Sequence, residues 1–192
     1  VVKIEAINGS LRLGLLDLEA FAGLENAEHK RQLEAKGIAF LLKKLFPAEN
    51  IQLQYTAEKK PFLEGSDCHI SISHSHDMLA ILVSKEHSTG VDVELIREKV
   101  INIKHKFLNE QELSFAENDI EKLTTLWAAK EAIFKAHGKK GVEFATNISI
   151  DPFSEEEKNF RGRMDLPNFK KSWQLCRRKI HNYILVFILS EI

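Results

Sequence analysis

Two apolar runs of similar wording, M-L-A-I-L-V-S-K-E from Met78 and Y-I-L-V-F-I-L-S-E from Tyr183, limit how this chain can fold. Both fall far short of the roughly 20 apolar residues that a membrane-spanning helix needs, and both end in polar residues, as buried strands do. One run closes each half of the chain. The echo predicts a duplicated unit: an α+β protein of two similar α/β halves about a pseudo-twofold axis, with an N-terminal half at 1–88 and a C-terminal half at 89–192.

Between the runs the pattern alternates between helix and strand. Leu11–Leu18 has strand character, weakened at Gly14. Ala27–Phe46 predicts a helix, since Leu33, Ile38, Leu41, Leu42 and Leu45 recur at helical intervals and Pro47 stops it. In H-I-S-I-S-H-S-H the isoleucines alternate with serines, which predicts a half-buried strand ending near His74. Gly90 precedes a further alternating segment, V-D-V-E-L. Asn109 to Glu112 opens a short helix over Phe107–Asn118, and Asp119 or Glu121 starts a longer one. Strands follow at Asn147–Ile150, Trp173–Arg178 and Tyr183–Leu189. The polar stretch 151–171 is expected to be a surface excursion without chemistry.

Charge and cysteine content narrow the function. With 27 Lys and Arg against 28 Asp and Glu, the chain lacks the basic excess of a protein that tracks nucleic-acid phosphates. Cys68 and Cys176 show no disulfide framework and no C-x-x-C spacing. No long apolar segment opens the chain, so we expect a cytoplasmic protein with neither nucleic-acid nor membrane partners.

The longer helix contains L-W-A-A-K-E-A-I-F-K, Leu126–Lys135, which places charges among apolar neighbours. At about 100° per residue, Lys130 falls where a core residue is expected, and Glu131 and Lys135 lie side by side. The ordinary reading is a snorkelling lysine and a surface ion pair. On the V-D-V-E-L strand, Asp92 and Glu94 share one side. Taken alone, D-V-E reads as an ordinary edge strand; were the helix to pack beside it, Glu131 would add a third oxygen donor, an all-oxygen set suited to Mg²⁺, a hard ion that keeps waters and binds substrate phosphates, and the lysines would supply charge for those phosphates. Zinc at Cys68, His69, His74 and His76 is disfavoured, because alternation sets Cys68 and His69 on opposite faces. No G-x-S-x-G elbow, Walker A loop or G-x-G-x-x-G is present.

Taken in order, K-K-P-F (Lys59–Phe62), I-S-H-S (Ile72–Ser75), G-V-D-V-E (Gly90–Glu94), F-L-N-E-Q-E-L (Phe107–Leu113) and W-A-A-K-E-A-I-F-K (Trp127–Lys135) resemble the phosphopantetheinyl transferases of the pseudo-dimeric Sfp type. The resemblance implies that fold. It also implies holo-acyl-carrier-protein synthase activity, in which the 4'-phosphopantetheine arm of coenzyme A passes to a serine of an apo acyl or peptidyl carrier protein and adenosine 3',5'-bisphosphate leaves. Such an enzyme serves fatty acid, polyketide or nonribosomal peptide synthesis. By the same resemblance Asp92, Glu94 and Glu131 hold Mg²⁺, Glu131 is the general base, Lys135 assists the leaving phosphate, and Lys130 adds charge. Lys60 and Pro61 line the adenine and ribose side, Ser73 and His74 contact phosphate, and Arg31 reaches the ribose phosphate. The segment Lys104–Leu108 either docks the carrier or turns Phe107 and Leu108 into the core. A duplicated chain can work as a monomer.

The chain begins without Met and the stretch before Arg31 is short, so a reduced nucleotide lid and a missing natural N-terminus are expected. The alternatives are an idle module of the same fold that binds coenzyme A or a carrier, and an unrelated Mg²⁺-dependent phosphohydrolase.

Overall fold

The computed structural model describes residues 2–23, 30–49 and 51–192. Ala27 to His29, the expected start of the first long helix, lie outside the described residues, as does most of the short stretch ahead of Arg31.

In chain order the strands are β1 (Val2–Ala6), β2 (Leu11–Asp17), β3 (Gln52–Tyr55), β4 (Pro61–Glu64), β5 (His69–Ser75), β6 (Met78–Ser84), β7 (Val91–Leu95), β8 (Ile148–Ile150), β9 (Asn159–Leu166), β10 (Phe169–Ile180) and β11 (Tyr183–Glu191). The helices are α1 (Leu18–Ala22), α2 (Lys30–Leu45), α3 (Lys99–Ile103), α4 (Glu110–Ala116), α5 (Ile120–His137) and α6 (Phe144–Asn147), with a 3-10 turn at Lys104–Lys106. A four-stranded sheet runs β1-β2-β6-β5, a five-stranded sheet runs β7-β11-β10-β9-β8, and β3 and β4 form a ribbon. Both apolar runs are buried strands, β6 and β11. None of the described helices is long and apolar enough to cross a membrane.

Alternation within the strands sorts their side chains into layers. Leu79, Ile81 and Val83 of β6 pack on α2 through Leu41 and Leu45. Met78, Ala80 and Leu82, on the other face, meet Val91, Val93, Leu185 and Phe187 of the second sheet. Beyond that sheet Leu126, Ala129 and Ile133 of α5 complete the third cluster. Helix, sheet, sheet and helix thus stack in that order.

The two halves repeat one path. β2 leads to α2 and then to the β5-β6 hairpin, with β2 paired to β6; β7 leads to α5 and then to the β10-β11 hairpin, with β7 paired to β11. The hairpin turns, His76-Asp77 and His181-Asn182, each carry a histidine at φ 52°. Leu18 N donates to Asp77 O at 2.6 Å and Ile96 N donates to Asn182 O at 2.8 Å, so the same contact recurs after each first strand. This is the mixed α/β architecture expected from the echo between the two runs.

Several expectations need correction. The stretch 151–171 is not a bare excursion: β9 and the start of β10 pair within it, and Phe160 and Met164 enter the core while Asn159, Arg161 and Arg163 face out. That period-2 pattern is hidden by the intervening charges. The β5 serines do not face solvent; Ser71, Ser73 and Ser75 are buried. Phe107 and Leu108 are 1% and 3% exposed, and the Phe107 ring meets Trp127 edge-on at 5.0 Å, so they fill the core. They are unavailable to a carrier.

Candidate functional site

Helix α5 is cut to length by its own sequence. Asp119 caps it by accepting from Glu121 N and Lys122 N, and Gly138 ends it in the left-handed conformation, φ 71°. Gly90, at the mouth of β7, touches this helix: an ideal Cβ there would stand 1.8 Å from Ala132 O. Only a residue without a side chain lets the strand come so near. The result is that Asp92 and Glu94 of β7 lie beside Glu131 and Lys135 of α5.

The carboxylates act on one another. Burial pushes Asp92 from 3.8 up to about 6; Lys135 opposes that rise and Glu94 adds to it. Burial likewise raises Glu131 from 4.5 to about 7, with Asp92 and Glu94 adding to it and Lys135 opposing. Lys135 Nζ donates to Asp92 Oδ1 at 2.6 Å and to Val91 O at 3.1 Å. Ser73 Oγ donates to the same Asp92 oxygen at 2.8 Å. The two oxygens of Glu94 accept from Trp127 Nε1 at 3.0 Å and Ser75 Oγ at 3.1 Å.

The donor set fits a hard divalent ion. Asp92 Oδ2 is buried with no hydrogen-bond partner among the described residues, so one carboxylate oxygen of the cluster is left unsatisfied. Among the described residues no group of three or more acids, histidines or cysteines is gathered closely enough to hold a metal ion by itself. Mg²⁺ does not require one, because it binds through one or two carboxylates and completes its octahedron with water and phosphate.

Lys130 does not join the cluster. Its side chain is 0% exposed, and its Nζ donates to Glu112 Oε2 at 2.6 Å, Phe144 O at 2.9 Å and Ile148 O at 2.7 Å. All three ammonium protons are engaged, leaving none for a phosphate, and the expected snorkelling does not occur. Glu112 gives its remaining capacity to Asn109 N and Ile150 N. Burial lowers the pKa of Lys130, while Glu112 raises it.

A small cleft of about 120 Å³ adjoins Lys135, lined by Lys60, Pro61, Ile70, Ile72, Phe134 and Gly138. It has room for part of a ligand and not for a whole cofactor-sized one. Lys60 lies in its wall with Nζ donating to Ser88 Oγ at 2.8 Å and Ala136 O at 2.9 Å, and burial lowers its pKa. His74 lies on the outer face of β5, with Nδ1 3.4 Å from Glu34 Oε1 on α2. Arg31, exposed on α2, is one turn before Glu34, so helical spacing puts it on that side. Ser73 stands apart from these groups, turned inward to β7.

A roomier groove, about 1280 Å³, opens elsewhere between β2 and β10. Its charges largely neutralise one another, Arg178 with Glu5 and Lys179 with Glu121. Matching the two hairpins places Gly14 and Leu16 of β2 where β7 has Asp92 and Glu94. The counterpart strand in the first half therefore lacks the acids, and we place the site in the smaller cleft.

Sequence reasoning missed Trp127 as a holder of Glu94 and missed the Lys130–Glu112 pair. Trp127 lies four residues before Glu131, hence on the same helix face, and that spacing was the available signal. A family model described as the 4'-phosphopantetheinyl transferase superfamily matches residues 88–188. A 4'-phosphopantetheinyl transferase, gsp, of Aneurinibacillus migulanus is 37% identical over 98 residues, 48% of this chain. The chain spans 40% of that relative's length.

Proposed function

We propose, from the premise that this chain belongs to the 4'-phosphopantetheinyl transferase superfamily, that it moves the 4'-phosphopantetheine arm of coenzyme A onto a serine of an acyl or peptidyl carrier protein, with Mg²⁺ at its carboxylates. The observation that carries this reading is the meeting of Asp92, Glu94, Glu131 and Lys135 beside the cleft of Lys60 and Pro61.

The serine oxygen attacks the phosphorus that bears the pantetheine arm, and the bond to the bridging oxygen breaks, releasing adenosine 3',5'-bisphosphate. Mg²⁺, when bound, supplies hard positive charge to the diphosphate oxygens. Glu131, with a carboxyl held near neutral pH, takes the serine proton, directly or through a water. Lys135, partly exposed and already drawn toward the acids, steadies the leaving phosphate. Lys60 and Pro61 line the adenine and ribose side, His74 contacts a coenzyme phosphate, and Arg31 reaches the ribose phosphate. Lys130 has no place in this binding set.

Incubation with coenzyme A, Mg²⁺ and apo carrier proteins, followed by mass spectrometry of the carrier, tests the reading. A carrier that gains the phosphopantetheine mass supports it. Coenzyme binding with no gain across several fatty-acid and peptide-synthetase carriers makes the chain an idle module, and phosphate release from small esters without a carrier makes it a hydrolase. A monomer acting in the cytoplasm completes the proposal.

A further inference from the structure

The seam between the two sheets is built from hydroxyls. β7 pairs with β11 along one edge, and the amides of its free edge point at β5. There Val91 N donates to Ser71 Oγ at 3.0 Å, Val93 N to Ser73 Oγ at 3.2 Å and Leu95 N to Ser75 Oγ at 3.3 Å. The register is parallel, each serine bonding the residue 20 places on. Side chains, rather than backbone carbonyls, join the edges.

A hydroxyl suits this position because it accepts an amide proton and still has its own proton to give. Ser73 gives its proton to Asp92 Oδ1 and Ser75 gives its proton to Glu94 Oε2. Ser71 accepts from Val91 N, and no carboxylate lies on its donor side among the described hydrogen bonds. The three rungs thus offer the same support to the backbone and differ in what they do to the acids.

We propose that Ser73 and Ser75 are positioning residues, holding Asp92 and Glu94 in the rotamers that present their oxygens to a divalent ion. With Oδ1 engaged by Ser73 and Lys135, Asp92 is turned so that Oδ2 remains unpartnered. Glu94 is clamped between Ser75 from the first half and Trp127 from the second. Groups that orient metal ligands typically contribute about 10- to 100-fold in metal affinity. The first half, which lacks the acids, thereby sets the geometry of the second half's site.

The proposal rests on the reading of Asp92, Glu94 and Glu131 as ion ligands, and Mn²⁺ binding to the full chain, followed by electron paramagnetic resonance, separates the two. Ser73→Ala and Ser75→Ala each weaken Mn²⁺ binding by about 10- to 100-fold, Ser75→Thr restores it, and Ser71→Ala stays within about twofold of the parent. Thermal unfolding shows both Ser71→Ala and Ser73→Ala destabilised, since each removes one buried amide's acceptor, with Ser73→Ala losing its bond to Asp92 as well. Equal losses of Mn²⁺ affinity in those two variants, or no loss in either, overturn the positioning role while leaving the ion site standing. A parent chain that binds no Mn²⁺ removes the ion site and the positioning role together.

Discussion

Lys130 Nζ and Glu112 Oε2 lie 2.6 Å apart with both side chains out of water, and this enclosed pair ties α5 to α4 and to the strand edge at Ile148. Breaking such a pair from one side leaves the partner charge buried and uncompensated, at a cost of about 3–5 kcal/mol. Lys130→Met therefore lowers the melting temperature by roughly 6–20 °C for a chain of this size, and the remaining folded protein binds coenzyme A as the parent does. Calorimetry with a coenzyme titration checks both. A weakened coenzyme affinity at unchanged stability returns Lys130 to the site.

Gly90→Ala tests how closely β7 and α5 must approach. The added carbon would meet Ala132 O at 1.8 Å and Ala132 C at 2.7 Å, both backbone atoms of a packed helix that cannot rotate aside. Overpacking of this kind costs about 3 kcal/mol or more, so the variant melts at least about 6 °C lower. Because the strand is pushed from Glu131, Mn²⁺ affinity falls with it.

Trp127→Phe keeps an aromatic ring between Phe107 and Phe144 and removes only the indole N–H that Glu94 accepts. Stability should fall by about 1.5–3 kcal/mol, the scale of one lost hydrogen bond to a charged group, while Mn²⁺ affinity drops about 10-fold. In the parent, indole emission shifts as the ion is added. The Phe variant, with Trp173 as its remaining indole, shows no such shift.

What the sequence made legible was the chemistry carried by local spacing. Asp92 and Glu94 on one side of a strand, Glu131 and Lys135 one turn apart, Asn109 and Glu112 as a capping box and Gly138 as a helix end all follow from residues a few places apart. What stayed hidden depends on partners far along the chain. Lys130 has the same helical phase whether it snorkels or is sealed in, and the choice is made by Glu112 and the carbonyls at Phe144 and Ile148. Ser73 in I-S-H-S looks like a ligand contact until β7 is laid beside it. β9 was obscured because its outward residues are charged and its inward ones include Gly162, where Ile133, Leu175 and Ile150 crowd the space a Cβ would take.

Stability should fall with rising pH in the metal-free protein. Asp92 and Glu131 bind protons more tightly folded, at about 6 and about 7, than at their ordinary 3.8 and 4.5. The folded state therefore holds more protons between those values, and unfolding free energy decreases as pH rises through that window. The contribution is fully present below about pH 4 and lost above about pH 7. Melting curves from pH 4.5 to 8 check the sign, against the background of other groups, by comparison with Glu131→Gln. Excess Mg²⁺ raises the melting temperature at pH 8 and leaves it unchanged at pH 5, where protons hold the sites.

Lys135→Met separates two effects of one ammonium. Lys135 lowers the proton affinity of both Asp92 and Glu131, and it also occupies Asp92 Oδ1 at 2.6 Å as a rival cation. Without it the acids hold their protons to higher pH, so at pH 6.5 Mn²⁺ must displace more protons and binds more weakly than to the parent. Near pH 9 the acids are ionised in both proteins, and the variant, freed of its internal competitor, binds more tightly. The two affinity profiles cross, whereas a lysine that served packing alone would displace the profile by the same factor at every pH. Transfer to a carrier is slow in Lys135→Met on both sides of the crossing, because the leaving phosphate has lost its ammonium whether or not the ion is bound.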